Sequence, residues 1–157
     1  MKLEPLAKSA FAPFGEVIET TGADAIDINQ NFARRFNDLA HIDVAHQDGS
    51  VNISMASAIP RPQPAAIKLM ERHPLGSQIF VSLQDEPWVI LVATDPKDLG
   101  TYRGFKARGQ QGINYARGTW HHPLLVLKPG RFLIIDRKGP GYNLEEFWLP
   151  QEFALRF

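Results

Sequence analysis

Two short, turn-rich segments carry three of the chain's five histidines. One is Glu71-Arg72-His73-Pro74-Leu75-Gly76-Ser77-Gln78, and the other is Gly118-Thr119-Trp120-His121-His122-Pro123. Each runs into an apolar stretch of strand character. If those two strand entrances meet in space, imidazoles, a carboxylate and an amide oxygen converge at one barrel mouth. Such donors suit a borderline divalent ion, and imidazole is also the side chain that moves protons near neutral pH. Adjacent strand residues face opposite ways, so only one of His121 and His122 need face the pocket. The sequence leaves open which one does.

The rest of the chain must place those segments. Strand-like stretches recur between Gly, Pro and Asn/Asp punctuation. Val51, Ile53 and Met55 alternate with Asn52 and Ser54, a period of two, and Ile79, Val81 and Leu83 do the same. Trp88 to Thr94 is apolar on both faces, as a central strand is. Further short strands are expected at Glu16–Thr20, Ile67–Glu71, Gly112–Tyr115, Leu124–Leu127, Phe132–Asp136 and Leu144–Trp148. Pro60-Arg61-Pro62-Gln63-Pro64 reads as an extended surface connection, because proline brings no amide donor to a ladder. A helical turn is expected near Ser9–Pro13. A helix is expected over Asp98–Arg108, with Asp95-Pro96 as its start and Gly109 as its stop, although Gly100 and Gly104 weaken it. Many short strands with little helix predict an all-β sandwich or barrel in a single domain over residues 1–157.

Bulk properties narrow the functions. At 157 residues the chain can bury one sizeable core. Seventeen basic residues balance 17 acidic ones with no basic run, which argues against nucleic acid as a partner. The absence of cysteine excludes thiol nucleophiles and disulfide frameworks. No apolar run suits a signal peptide or a membrane span, so no membrane partner and a cytoplasmic location are the expectations.

The two histidine segments resemble the signature stretches of the cupin superfamily, whose barrels are double-stranded β-helix jelly rolls. The combination of Glu71-Arg72-His73-Pro74-Leu75-Gly76, Gly112-Ile113-Asn114-Tyr115, Trp120-His121-His122-Pro123-Leu124 and Ile135-Asp136-Arg137 is similar to the ureidoglycolate lyase family in particular, across essentially the whole chain. Laid on the cupin pattern, Glu71, His73, Gln78 and His121 fall on the four metal-ligand positions. Two of these are substituted relative to that pattern, Glu71 standing for histidine and Gln78 for glutamate. The resemblance implies a homodimer of allantoin catabolism that cleaves (S)-ureidoglycolate to glyoxylate and urea. It also implies a divalent metal, Ni²⁺ in the family description, and no organic cofactor.

That reaction needs a base at the carbinol hydroxyl, an acid at the departing nitrogen and a grip on a small anion. The reading gives His121 the ligand role and His122 the acid/base role, or the reverse, with Tyr115 orienting the ureido group or donating a proton. Arg72, Arg103, Arg117 and Arg137 are the candidate carboxylate clamps, because a guanidinium fork matches a carboxylate. Each also has a plain role: a surface ion pair for the arginines and Glu71, a turn cap for His73, a buried backbone partner for Gln78. His41 and His46 read as surface residues. Rival functions are a hydrolase releasing ammonia, an isomerase or oxygenase on another acid, and a non-catalytic small-molecule sensor.

Overall fold

A computed structural model describes residues 1–157. In chain order the strands are β1 (Leu3–Pro5), β2 (Gly15–Ile18), β3 (Ala25–Ile28), β4 (Ala33–Phe36), β5 (Ser50–Ala58), β6 (Ala65–Arg72) and β7 (Gln78–Ser82). They continue as β8 (Trp88–Ala93), β9 (Tyr102–Ala107), β10 (Gly112–Tyr115), β11 (Trp120–His121), β12 (Leu125–Val126), β13 (Gly130–Lys138) and β14 (Glu145–Leu155). The single α-helical turn, α1, is Lys8–Phe11. One sheet runs β1-β9-β8-β11-β6-β14, with β12 also on β8; the other runs β2-β10-β7-β13-β5. From β5 to β8 the chain crosses between the sheets at every connection, which is the cupin-like, double-sheet jelly roll that the resemblance implies. The β3–β4 hairpin stands apart as a two-stranded sheet.

β8 shows why the barrel closes. Trp88, Ile90 and Val92 enter an inner core with Phe80, Phe105, Ile113, Tyr115 and Phe132. Val89, Leu91 and Ala93 enter an outer core with Ile67, Met70, Tyr102 and Leu155. A strand apolar on both faces needs both covers. The inner one is the opposing sheet, and the outer one includes β14, whose Phe153 meets Tyr102 edge-on at 5.7 Å. Helical turn α1 drops Phe11 into the inner core against Phe105, at 5.6 Å between centroids. No helix is long and apolar enough to cross a membrane.

The expected helix at Asp98–Arg108 does not form. Asp98 caps only a 3₁₀ turn, Leu99–Thr101, by accepting from the Gly100 amide, and β9 follows at once. β9 pairs with β8 over six residues, Trp88↔Ala107 to Ala93↔Tyr102, so tertiary ladder bonds override a weak helical signal carrying two glycines. Gly104 has a packing reason: a Cβ there would lie 2.5 Å from the Leu3 side chain of β1. The strand at Leu144–Trp148 extends instead to Leu155, passing through Pro150, which an edge strand tolerates at its register shift between Trp148 and Phe153.

Candidate active site

Glu71, next to last in β6, is on the ladder opposite His121 of β11, so their side chains share a face. Across β11, His121 is opposite Val92, an inner-core residue, whereas Trp120 is opposite Ala93, an outer-core one. The parity left open by the sequence is thereby resolved: His121 points inward, and it is 1% exposed. His73 lies just past β6, its ring 5.4 Å from that of His121. One ligand atom each from Glu71, His73 and His121 lies within 4.8 Å of the others. The Glu71 Oε1 to His121 Nε2 distance is 3.5 Å. Gln78 of β7 is opposite Tyr115 of β10, and Tyr115 stacks on the His121 ring at 4.0 Å and 15°. Gln78 is therefore on the inner face as well.

The tautomers follow from the backbone. His73 Nδ1–H donates to the Asn143 carbonyl at 2.7 Å, and His121 Nδ1–H donates to that of Thr119 at 2.9 Å. Each ring is left with an Nε2 lone pair, and both Nε2 atoms are buried without a partner, as is Gln78 Oε1. Leaving a buried polar atom unpaired costs on the order of 1–3 kcal/mol, so three such atoms on the inner face need an explanation. A divalent cation provides one. Two imidazole nitrogens, a carboxylate and an amide oxygen are a fitting donor set, and carbonyls that fix the far nitrogen are the usual supports of a ligating histidine. Burial lowers the pKa of His73, which keeps it neutral and able to ligate. Burial works to raise the pKa of Glu71, but the surrounding imidazoles, His121 foremost, outweigh that and hold it below the usual carboxylate value.

A sequence profile described as ureidoglycolate lyase matches residues 1–156. The chain belongs to the ureidoglycolate lyase family. It is 46% identical to a ureidoglycolate lyase of Burkholderia mallei, over 99% of this chain and 92% of that one. Identity to ureidoglycolate lyase 1 of Rhizobium meliloti is also 46%, with the same coverage. A solved oxalate decarboxylase of Bacillus subtilis is similar over 63% of this chain and 24% of that one, at 13% identity and a TM-score of 0.41.

Within this ureidoglycolate lyase family member, the other residues singled out by sequence scatter. His122 is not in the Glu71–His73–His121 cluster. Its amide bonds the Leu91 carbonyl, its Nδ1–H donates to the Pro123 carbonyl at 2.7 Å, and burial lowers its pKa to about 4. It lines a neighbouring cleft of about 370 Å³ with Arg61, Leu69 and Trp148. Tyr115 is buried and raised in pKa by burial and by Glu71, so it remains a phenol against the His121 ring.

The four arginines have their donors engaged. Arg72 pairs with Glu145 at 2.6 Å and lies over Trp120, on the outer face. Arg103 forks onto Glu4 at 3.1 and 2.7 Å and bonds the Ala10 carbonyl. Arg117 contacts Asp43 and the His46 ring. Arg137 is buried among the carbonyls of His46, Gln47 and Pro140, to which its guanidinium donates. Sequence reasoning missed Asn143 and Thr119, whose carbonyls set the two tautomers. A backbone oxygen leaves no mark in residue type.

Proposed function

We propose that the protein is a carbon–nitrogen lyase that splits (S)-ureidoglycolate into glyoxylate and urea. The observation that carries this reading is the trio Glu71, His73 and His121, with two buried, unpartnered Nε2 atoms facing one carboxylate. The reading is supported by membership of the family and by relatives of that name. In the reaction the hydroxyl gives up its proton, the carbinol C–O becomes the aldehyde carbonyl, and the C–N electron pair leaves with nitrogen. Nitrogen then takes up a proton, so none is lost and no water enters.

Glu71, His73, His121 and Gln78 would hold a divalent ion, Ni²⁺ in the version that the family resemblance implies. When bound, the ion supplies Lewis acidity, lowering the pKa of a hydroxyl brought to it. His122 belongs to the proton path. With Nδ1–H fixed on Pro123 and the ring held neutral, its Nε2 is the nitrogen free to take a proton from the hydroxyl and hand it to nitrogen. Tyr115 keeps the His121 ring in place by stacking, and its own proton stays on oxygen.

The same reading carries a cytoplasmic setting within allantoin catabolism, and a homodimer. Support for the dimer comes from β5. Val51, Ile53 and Met55 point outward at 43%, 68% and 58% exposure, while Asn52 and Ser54 turn inward. Leu133 and Ile135, opposite Met55 and Ile53, extend that apolar face across β13. Phe153 and Phe157 pack on the outer core, and Trp148 lines the cleft beside His122.

The test is incubation with (S)-ureidoglycolate before and after chelation, following glyoxylate, urea and ammonia. Glyoxylate and urea in equal amounts, lost on chelation and regained with Ni²⁺, are expected. Ammonia in place of urea would assign a hydrolase, and saturable binding without turnover would assign a sensor.

A further inference from the structure

The connection Pro60-Arg61-Pro62-Gln63-Pro64 does more than join the two sheets. It forms one wall of the cleft that His122, Leu69 and Trp148 complete. That cleft neighbours the metal-ligand cluster along β6. Leu69 lies two residues from Glu71, so both are on one face, and Trp148 and Glu146 of β14 are opposite Leu69 and Glu71. His122 is the chain neighbour of His121. The cleft holds an aromatic plane, an imidazole and two cations, and its imidazole is one residue from His121 along the chain.

Of those cations, Lys68 is taken by Glu152 at 3.2 Å. Arg61 makes no side-chain hydrogen bond and no ion pair, unlike Arg72, Arg103, Arg117 and Arg137, all of which are engaged with protein groups. Prolines on both sides fix the backbone φ at positions 60 and 62, so the guanidinium is presented from a stiff support and little chain entropy is lost when it binds. The positive charge of Arg61 is also felt at His122, as one of the influences that lower its pKa.

We propose that Arg61 is the anchor for the substrate's carboxylate, holding a 2-hydroxy acid in the Arg61–Trp148 cleft with its carbinol carbon toward Glu71, His73 and His121. This rests on the lyase reading and supplies the anion grip that the four sequence-suggested arginines do not offer. Selection for an α-carboxylate over a neutral carbinol-urea then resides in one solvent-reachable fork.

The experiment is steady-state kinetics of the metal-loaded protein with (S)-ureidoglycolate, and product inhibition by glyoxylate, for the unmodified chain, Arg61→Met and Arg61→Lys. Arg61→Met retains the apolar stem and removes the fork. Because Arg61 is exposed, the thermal midpoint should not move. The expected result is a KM and a glyoxylate inhibition constant raised about 10- to 100-fold in Arg61→Met, the size of a lost charge-assisted hydrogen-bond pair. kcat should stay within about threefold, the pattern of lost ground-state binding, and Arg61→Lys should fall between. An unchanged KM and inhibition constant in a folded Arg61→Met protein overturns the proposal and leaves the lyase reading standing. Failure of the unmodified protein to release glyoxylate removes the lyase reading, and the proposal with it.

Discussion

Replacing His121 by Phe separates a metal ligand from a core histidine. Phe preserves a flat ring that can stack on Tyr115, now at 4.0 Å from the imidazole. It deletes the Nδ1–H bond to the Thr119 carbonyl, a loss of about 0.5–1.5 kcal/mol, and removes the buried, unpartnered Nε2, a relief of about 1–3 kcal/mol. The slightly larger ring costs about 1 kcal/mol or more in a packed site. These terms nearly cancel, so without metal the variant should melt within roughly 4 °C of the parent. The metal response is different. An ion at 100 times its Kd stabilises the folded parent by about 2.7 kcal/mol. For a domain of this size, at roughly 2–4 °C per kcal/mol, the midpoint should rise by about 5–11 °C. In the variant that rise should vanish. Differential scanning fluorimetry with chelator and with graded Ni²⁺ reads both quantities. An undiminished Ni²⁺ shift in a folded His121→Phe protein would refute the assignment of the buried nitrogen as a ligand.

Three further outcomes follow from the same geometry. Glu71→Gln keeps the shape but not the charge, and should weaken metal binding at least ~10-fold while leaving the fold intact; isothermal titration would show it. His122 is lowered to about 4 by burial, so the unfolded chain binds the extra proton between about pH 6.5 and pH 4. Stability should therefore be full above pH 6.5 and fall as pH drops through that window, by a few kcal/mol, and urea titrations of His122→Leu should show a flatter profile there. Ile53→Glu, placed in the exposed apolar face of β5, should convert a dimer to a monomer in analytical ultracentrifugation without unfolding it, and an unchanged mass would exclude that face.

Much of the architecture was legible because sheet faces leave a period-two trace. The run Trp88–Ala93 announced a strand covered on both sides, and β10 appears at Gly112–Tyr115 with the bounds that its flanking residues suggested. β9 was not legible, since Asp98 is a sound cap in isolation and only the ladder with β8 decides otherwise. The period-two signal in β5 was correct as a strand, but it did not say which face is covered, and the apolar side faces out. At the site, Glu71, His73 and His121 were recognisable by type and are gathered by the fold. The orientation of His121 relative to His122 needed the register of β11 between β6 and β8, which no spacing encodes. Arginine function was least legible. Residue type says that a guanidinium can clamp a carboxylate, and only coordinates show that Arg103 already clamps Glu4.

The short strand β11 slots between β6 and β8, and this order has a consequence for biosynthesis. A ribosome releases Glu71 and His73 well before His121, so a nascent chain holds two donors on one ribbon and lacks the third until most of the polypeptide has emerged. Completion of the donor trio is then a late step of chain synthesis. Fragments ending ahead of Trp120 would lack the donor that completes the trio, so the site exists only in a nearly full-length chain.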